Sequence, residues 1–253
     1  MAKICCAADL HGHLPPIPPC DILILAGDIC PPEINDVLPQ LRWLLSEFRH
    51  WLIQQPVSKT IIVAGNHDWV FQSDLLPNDI PWIYLQDGLY IHDDIKIWGT
   101  PWTPPFRRWA FMMPEEGLSR RFGMIPDVDI IISHGPPYGY GDVVDRDEII
   151  LKNGERITGT IIHNHKMVAI ESGGIERRIE AELTFSVAYK THKENVGSPS
   201  LMKAIKRIAP KLVCFGHIHT PGQWVDGDTI LANVSIRDEQ FRVVDQPIYS
   251  YTI

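Results

Sequence analysis

Polar side chains that can bind metal ions or move protons follow several short apolar runs of the chain. The stretch IIVAGNHDW, residues 61–69, shows this most sharply, because apolar and small residues lead directly into Gly65, Asn66, His67 and Asp68. Burying an amide, an imidazole and a carboxylate beside an apolar strand costs several kcal/mol unless each finds a hydrogen bond, a counter-charge or a metal. The pattern therefore predicts partners for these three side chains.

The same kind of ending recurs after the other apolar runs and provides oxygen and nitrogen ligands without sulfur. The candidate metal ligands are Asp9, His11, Asp28, Asn66, His134, His217 and His219. Such a mixed set suits Mn²⁺, Fe or Zn²⁺ better than a structural zinc site or an all-oxygen calcium site. The set is larger than one tetrahedral ion can use. Two divalent ions that share the carboxylate of Asp28 would use all of its members.

Buried strands and helices must position these side chains. The predicted buried strands are 3–9, 21–28, 59–68, 129–135 and 211–219, accompanied by a hairpin at 89–102 and a strand at 229–235. A helix at 34–55 follows from leucine and aromatic residues at helical spacing. Another at 198–209 follows from Ser198 as N-cap and Pro199 in the first turn. Because ligands gather beyond the carboxyl ends of strands in α/β sheets, the polar endings can meet in one place.

Residues 142–196 differ from the rest of the chain. Asn153 and Gly154 lie between β-prone runs, which is the strongest short-range signal of a hairpin. We expect a single domain over residues 1–253 with a β-rich insertion at about 142–196. The insertion either roofs the site and restricts the size of the substrate or provides a dimer contact, and the sequence leaves this choice and the oligomeric state open.

Composition and charge limit the class of partner. The chain has 253 residues, 45% of them hydrophobic, and a formal net charge of −8 at pH 7. This length and composition allow a sizeable core. The negative charge repels long polyanions, so binding to duplex nucleic acid is not expected.

The cysteines and the apolar runs bear on the compartment. The cysteines are odd in number and form no C-x-x-C pair, so neither a disulfide framework nor a structural zinc site is expected. The start MAKICCAADLHG runs directly into a strand-like segment without a signal-peptide pattern. No apolar run approaches the length of a bilayer span. We therefore expect a cytoplasmic protein in a reducing environment, without a membrane partner.

The order of the motifs adds a resemblance. DLH, GD, GNHD, SHGPP and GHIH, in this order, resemble the calcineurin-like metallophosphoesterase family. IWGTPWTPPFRRWAF, SHGPPYGYGD and KLVCFGHIHTPGQW are further similar to its small metallophosphodiesterase branch, the metallophosphoesterase-domain-containing proteins. Alone, Asp9-x-His11 and Gly27-Asp28 would each favour a turn over a ligand, whereas all five motifs in order favour a site. The resemblance covers most of residues 1–140 and 195–235, and the tail after Arg237 carries no signal.

The resemblance implies a layered α/β fold of the α+β type, a two-sheet β-sandwich flanked by helices, with a dinuclear site at one edge of the sheets. One ion would be held by Asp9, His11, Asp28 and His219, and the other by Asp28, Asn66, His134 and His217. His67 matches the family's non-ligand histidine, which faces the substrate phosphate as general acid or transition-state stabiliser. Asp68 matches the residue that orients it. A hydroxide bridging the ions would then attack phosphorus in line.

These expectations lead to a functional prediction with two alternatives. We predict a metal-dependent phosphodiesterase with two divalent ions, Mn²⁺ first and Fe or Zn²⁺ as alternatives, that hydrolyses a small phosphodiester such as a cyclic nucleotide. A phosphomonoesterase or protein phosphatase would use the same motifs. A non-catalytic nucleotide-binding or scaffold module of the same fold is the alternative of another class, and it would typically have lost ligands or His67.

Further residues are weaker candidates. His13, Trp102 and Arg107 are candidates for substrate binding. His13 follows the first motif closely enough to line the pocket, or else is a loop histidine without a role. The aromatic and basic segment 102–109 could stack a base and hold a phosphate, or else pack under a loop. Asn233 is predicted to support the site from the end of its strand. The histidines expected on the surface are His50, His92, His163, His165 and His192.

Overall fold

The structure is a computed structural model, and it describes residues 1–106, 108–150, 156–164, 167–172, 175–180 and 189–253. Its strands are β1 (Lys3–Ala7), β2 (Cys20–Ala26), β3 (Val57–Val63), β4 (Ile83–Tyr84), β5 (Gly88–His92), β6 (Ile95–Thr100), β7 (Ile130–Ser133), β8 (Val143–Ile150), β9 (Arg156–Asn164), β10 (Met167–Ser172), β11 (Ile175–Glu180), β12 (Tyr189–Asn195), β13 (Leu212–Phe215), β14 (Gly222–Asp226), β15 (Thr229–Asn233) and β16 (Tyr249–Thr252). Its α-helices are α1 (Val37–Trp43), α2 (Arg49–Leu52), α3 (Glu115–Gly123) and α4 (Pro199–Ile208).

Two sheets pack face to face. The first has the order β16-β1-β2-β3-β4, and the second has the order β14-β15-β13-β7-β6-β5. β1, β2, β3 and β4 run parallel, as do β6, β7, β13 and β15. Inward-facing residues such as Ile24, Ile61, Ile132 and Cys214 are fully buried between the sheets. The predicted buried strands and the sandwich are confirmed.

Helices cover the outer face of each sheet. α1, a π-helical turn at Leu44–Phe48 and α2 form one helical segment, and its Phe48 and Trp51 pack on the outward-facing side chains of β1 to β3. On the second sheet, Phe122 of α3 and Ile205 of α4 pack against β7, β13 and β15. The predicted helix at 198–209 is confirmed, with the Ser198 hydroxyl accepting the backbone N–H of Leu201 at 3.2 Å.

The region 142–196 forms a third sheet of antiparallel strands in the order β11-β10-β9-β8-β12. β8 and β9 pair as the predicted hairpin requires, while its turn with Asn153 and Gly154 lies outside the described residues. The described residues of this region are thus mainly β-strands, while the predicted division into one domain with an insertion stays a prediction. β8 and β12 connect this sheet to the sandwich, and we call residues 142–146 and 193–197 the neck of the insertion.

Among the described residues, no helix combines the length and the apolar character needed to cross a lipid bilayer.

The layers of the fold are helix, sheet, sheet and helix, with the insertion attached beside them. This agrees with the predicted α/β sandwich flanked by helices. The polar strand endings all belong to the sandwich, which fixes where they can meet.

Candidate metal centre

The candidate ligands lie on loops that follow strands of the two sheets at their carboxyl ends. Asp9 and His11 follow β1, Asp28 follows β2, and His217 follows β13. All four have positive φ values, of 55°, 44°, 52° and 69°. Residues other than glycine adopt this left-handed conformation uncommonly and at a cost. The loops are therefore held in costly conformations at the point where the predicted site lies.

The first group of donors joins Asp9, His11 and His219. Nε2 of His11 lies 3.3 Å from Nε2 of His219. Nε2 of His219 lies 3.9 Å from Oδ1 of Asp9, whose carboxylate also accepts the backbone N–H of His217 at 3.0 Å. One ligand atom from each of the three residues falls within 4.8 Å of the others. This is the spacing that a single bound ion requires.

The second group of donors joins Asn66, His134 and His217. The side-chain oxygen of Asn66 lies 2.9 Å from Nε2 of His134 and 2.7 Å from Nδ1 of His217. Asn66 and His134 are at most 1% exposed, and His217 lines the cavity described below. Three donor atoms thus converge from three different loops.

Asp28 lies between the two groups. Its Oδ2 is 3.7 Å from Nε2 of His11, and its Oδ1 is 3.5 Å from Nε2 of His134. Oδ1 also accepts the backbone N–H of His67 at 2.7 Å. One oxygen faces each group, which is the arrangement that a carboxylate shared by two ions needs.

The chemistry of these donors fits a bound cation. Nδ1 of His134 lies 3.0 Å from the carbonyl oxygen of Ala26, so it must donate its proton there. Nε2 of the neutral ring then carries a lone pair directed toward the Asn66 oxygen, another acceptor. Within the described part of the chain, Nδ1 of His11 is also buried without a hydrogen-bond partner. Lone pairs this close repel one another unless a cation binds them.

Burial also favours the neutral, metal-binding form of three of these histidines. It lowers the pKa of His11 to about 2, with added repulsion from His67 and His219, and it also lowers the pKa of His134 and of His217. These imidazoles are therefore neutral and free to bind metal. Burial and the nearby carboxylates of Asp68 and Asp9 raise the pKa of Asp28. A divalent ion would remove this repulsion between carboxylates.

The glycines in the motifs allow the ligand loops to approach one another closely. A Cβ atom on Gly65 would overlap the carboxylate and backbone nitrogen of Asp28 and would lie 2.7 Å from Cε1 of His134. A Cβ atom on Gly216 would lie 2.6 Å from Oδ2 of Asp9. Each glycine thus leaves space for a ligand that belongs to a neighbouring strand.

His67 lies on the wall of the cavity beside the cluster. Its ring centroid is 5.0 Å from that of His11 and 4.0 Å from that of Trp109. Asp68 is fully buried, and its carboxylate accepts the backbone N–H groups of Ile29, Cys30 and Gly65 at 2.8 to 3.1 Å. Asp68 therefore fixes the loops that carry His67 and Asp28, and its predicted role in orienting His67 stays a prediction.

Gln40 is a supporting residue that sequence reasoning missed. This buried side chain on α1 donates to the carbonyl oxygens of His67 at 2.6 Å and Ile34 at 2.7 Å, and it accepts the backbone N–H of Val70 at 3.0 Å. A glutamine within the apolar pattern of a helix was the available signal. Gln40 holds the His67 loop from its far side.

A cavity of about 470 Å³ opens over the candidate metal ligands. His11, Asp28, Asn66, His67, His217 and His219 line it on the sandwich side. Phe106, Trp109, the insertion neck (Val143, Val144, Asp145, Arg146, Lys193 and Val196) and the C-terminal residues Glu239 and Phe241 line it elsewhere. The tail after Arg237, which carried no signal in the sequence, thus contributes to the site.

The three candidates for substrate binding have different outcomes. His13 is exposed and is not among the described residues that line the cavity. Trp102 is likewise absent from that set; its indole N–H donates to Asp87 at 2.8 Å, and the guanidinium of Arg121 lies 4.2 Å over its ring. Trp102 is therefore a packing residue. Arg107 lies outside the described residues, and its predicted role stays a prediction.

The remaining sequence predictions concern support and surface positions. The side-chain nitrogen of Asn233 donates to the carbonyl oxygen of Ile218 at 2.7 Å, between His217 and His219, so its predicted supporting position is confirmed. His50 and His192 are exposed as predicted, and His92 is half-buried. His165 and the side chain of His163 lie outside the description.

Comparison with known proteins identifies the class first. A sequence model described as calcineurin-like phosphoesterase matches residues 3–221 of this chain. This match implies a metal-dependent hydrolase, and the donor groups described above are compatible with bound metal. The chain belongs to the calcineurin-like phosphoesterase family, which confirms the resemblance seen in its motifs.

Individual relatives agree with this membership. Metallophosphoesterase domain-containing protein 1 of Homo sapiens is 28% identical over 97% of this chain and 69% of its own length. A UPF0046 protein of Caenorhabditis elegans is 23% identical over 97% of this chain and 59% of its own length. One solved crystal structure is similar in fold, with a TM-score of 0.53 at 14% identity over 93% of this chain and 91% of that chain.

Proposed function

We propose that this protein is a phosphodiesterase that uses two divalent metal ions to hydrolyse a small phosphodiester such as a cyclic nucleotide. The observation that carries the proposal is the position of Asp28, with one carboxylate oxygen toward the His11 group and the other toward the His134 group. Asp9, His11, Asp28 and His219 would hold one ion, and Asp28, Asn66, His134 and His217 the other. Among the metals that suit this donor set, Mn²⁺ is proposed first, with Fe or Zn²⁺ as alternatives.

The residues around the ions divide the chemical work. When bound, the ions act as Lewis acids that activate water near neutral pH and stabilise charge on the phosphate. His67, at the cavity wall beside His11, holds a proton for the leaving oxygen of the ester. Asp68 and Gln40 keep the His67 loop at a fixed distance from Asp28 through the hydrogen bonds described above. No side chain needs to form a covalent bond with phosphorus.

The cavity supports a small substrate. Its volume of about 470 Å³ falls in the range typical of small-molecule sites. The insertion neck closes one side, which favours the roofing role of the insertion over a role in dimer contact. The net charge of −8 also disfavours polymeric nucleic acids.

We further propose that the protein works in the cytoplasm. All five cysteines are buried as free thiols. Sγ of Cys6 lies 3.3 Å from Sγ of Cys214 without a disulfide between them. Free buried thiols are typical of proteins that fold in a reducing compartment.

The test compares a nitrophenyl phosphodiester with the matching monoester, with Mn²⁺ and with chelator, for wild type and His67→Ala. We expect faster hydrolysis of the diester, loss of activity with chelator, and a decrease on the order of 100-fold or more for His67→Ala. His50→Ala, a substitution of an exposed histidine, is the matched control and should behave as wild type.

Three results would overturn the proposal. Faster hydrolysis of the monoester would indicate a phosphomonoesterase. Cleavage of single-stranded DNA, with cyclic nucleotides left intact, would exclude the small substrate. Hydrolysis of neither ester by protein that retains its metal would favour a binding module.

A further inference from the structure

The C-terminal residues 236–242 form a turn that is hydrogen-bonded to residues 8–11, which carry the candidate ligands Asp9 and His11 and are called the first metal loop. The backbone N–H of Ile236 donates to the carbonyl oxygen of Ala8 at 2.9 Å, directly before Asp9. Within the turn, the carboxylate of Asp238 accepts the backbone N–H groups of Gln240 and Arg242, each at 2.9 Å. The turn is therefore fixed both by its own hydrogen bonds and by its hydrogen bond to the sandwich.

Arg237 connects the turn to the first metal loop through both ends of its guanidinium. Nη2 donates to the carbonyl oxygen of Leu10 at 3.1 Å, and Leu10 lies between the candidate ligands Asp9 and His11. Nη1 donates to the carbonyl oxygen of Phe241 at 2.8 Å. The position of Phe241 is therefore set relative to the metal loop.

Phe241 is unusual in its backbone and in its exposure. Its φ is +60°, and 55% of its surface is exposed although the residue is large and apolar. A bulky residue in the left-handed region and an exposed aromatic ring both carry a cost, and such costs are typically retained at functional positions. The ring lines the cavity, with its centroid 4.5 Å from that of His219 and 5.8 Å from that of His11.

The aromatic residues on the opposite wall are arranged differently. Trp109 packs against the His67 ring at 4.0 Å, and Phe106 packs against Trp109 at 6.3 Å with the guanidinium of Arg146 at 5.5 Å. Phe106 and Trp109 are half-buried in the wall, whereas Phe241 is exposed over 55% of its surface although it also contacts His219.

We propose that Phe241 stacks on a planar ring of the substrate, a nucleobase, and so selects nucleoside phosphodiesters over diesters without a base. This inference rests on the proposed function, because it names the substrate class of the same site. Stacking between a base and an aromatic side chain provides selectivity without requiring a particular base. Phe241 is a specificity-determining residue and takes no part in the chemical step.

The test uses cyclic adenosine monophosphate and its abasic counterpart, cyclic ribose phosphate, with the metal-loaded protein. For Phe241→Ala we expect KM to increase roughly tenfold for the nucleotide and by less than about twofold for the abasic compound, with kcat nearly unchanged. Phe241→Tyr retains the ring and should restore the wild-type KM. Val243→Ala, at the residue that forms an isolated β-bridge with Arg237 beside the same turn, is the matched control.

Calorimetric titration with adenosine monophosphate and with ribose phosphate separates this inference from the proposed function. If wild type hydrolyses neither cyclic compound but binds the nucleotide more tightly than ribose phosphate, and Phe241→Ala loses that preference, stacking stands while the proposed activity fails. Equal losses for both compounds, accompanied by loss of metal, would make Phe241 a support of the His219 ring and overturn the proposal. Equal affinity of wild type for the two compounds would also overturn it.

Discussion

The two sides of the cavity differ in how strongly the fold determines them. On the inner side, Asp9, Asn66 and His134 are at most 1% exposed, and their loops follow strands of the sandwich directly. On the outer side, the insertion neck and the turn at Phe241 present exposed residues that come from regions distant in sequence. In the proposed function, the inner side would bind the metal ions and the outer side would select the substrate.

The loops on the inner side are held in place by hydrogen bonds and close contacts. Asp68 binds three backbone amides there, Gln40 holds the loop from behind, and Gly65 leaves room for Asp28. In buried, closely packed and hydrogen-bonded arrangements of this kind, small changes in volume or polarity cause large losses of stability. Substitutions on the inner side should therefore reduce metal affinity, stability or kcat strongly, whereas substitutions on the outer side should change KM by a smaller factor.

The largest effect is expected for Gly65→Ala. The added Cβ would overlap both the carboxylate and the backbone of Asp28, so we expect metal affinity to fall on the order of 100-fold and stability by about 3 kcal/mol. Metal analysis and thermal unfolding measure both. Gly123→Ala is the control, because a Cβ there meets no atom within 4 Å, and its stability should change by less than about 1 kcal/mol. Normal metal binding by Gly65→Ala would show that the inner side is not rigid.

An intermediate effect is expected for Gln40→Leu. The substitution keeps the volume but leaves the carbonyl of His67 and the N–H of Val70 without their partner, at a cost of about 2 kcal/mol. We expect kcat to fall roughly tenfold with metal content unchanged, because His67 and not a ligand is displaced. Gln54→Leu, at an exposed position after α2, is the control. An unchanged kcat in a destabilised Gln40→Leu protein would limit Gln40 to a structural role.

The smallest effect is expected on the outer side, for Asp142→Ala in the insertion neck. Asp142 is buried and joins the two strands of the neck by accepting the backbone N–H groups of Gly139 and Gly197, each at 3.0 Å, and the amide of Asn195 at 2.6 Å. A looser neck should raise KM by roughly threefold and leave metal content and kcat near wild type. Asp127→Ala, at an exposed position, is the control. A loss of metal in Asp142→Ala would mean that the two sides are not separable.

The same contrast explains what could be read from the sequence. Asp28, Asn66 and His217 were predictable because each directly follows an apolar run and glycine at the end of a strand. The hydrogen bond from Arg237 to the carbonyl oxygen of Leu10 could not be predicted from the sequence. The two residues are 227 positions apart, and their contact depends on the path of the C-terminal segment. The strained position of Phe241 is likewise a property of the folded backbone that no residue pattern reveals.

Packing also decided between alternatives that the sequence left open. The segment 102–109 offered several aromatic residues, and the fold directs Trp109 toward His67 while Trp102 packs against Asp87 and Arg121. The sequence could not separate them, because their types and local setting are alike. The fold class was easier, since the long apolar runs and the two helical patterns are local features.

In the proposed site Asp28 is shared by two metal ions, so the number of ions bound per chain distinguishes this site from a mononuclear one. Mass spectrometry of protein loaded with Mn²⁺ should give about two ions per chain for wild type and about one for His219→Ala and for Asn66→Ala. Asp28→Ala should retain well below one, because it removes a ligand from both groups. If wild type binds a single ion, or if Asp28→Ala retains as much metal as His219→Ala, the shared dinuclear site is contradicted.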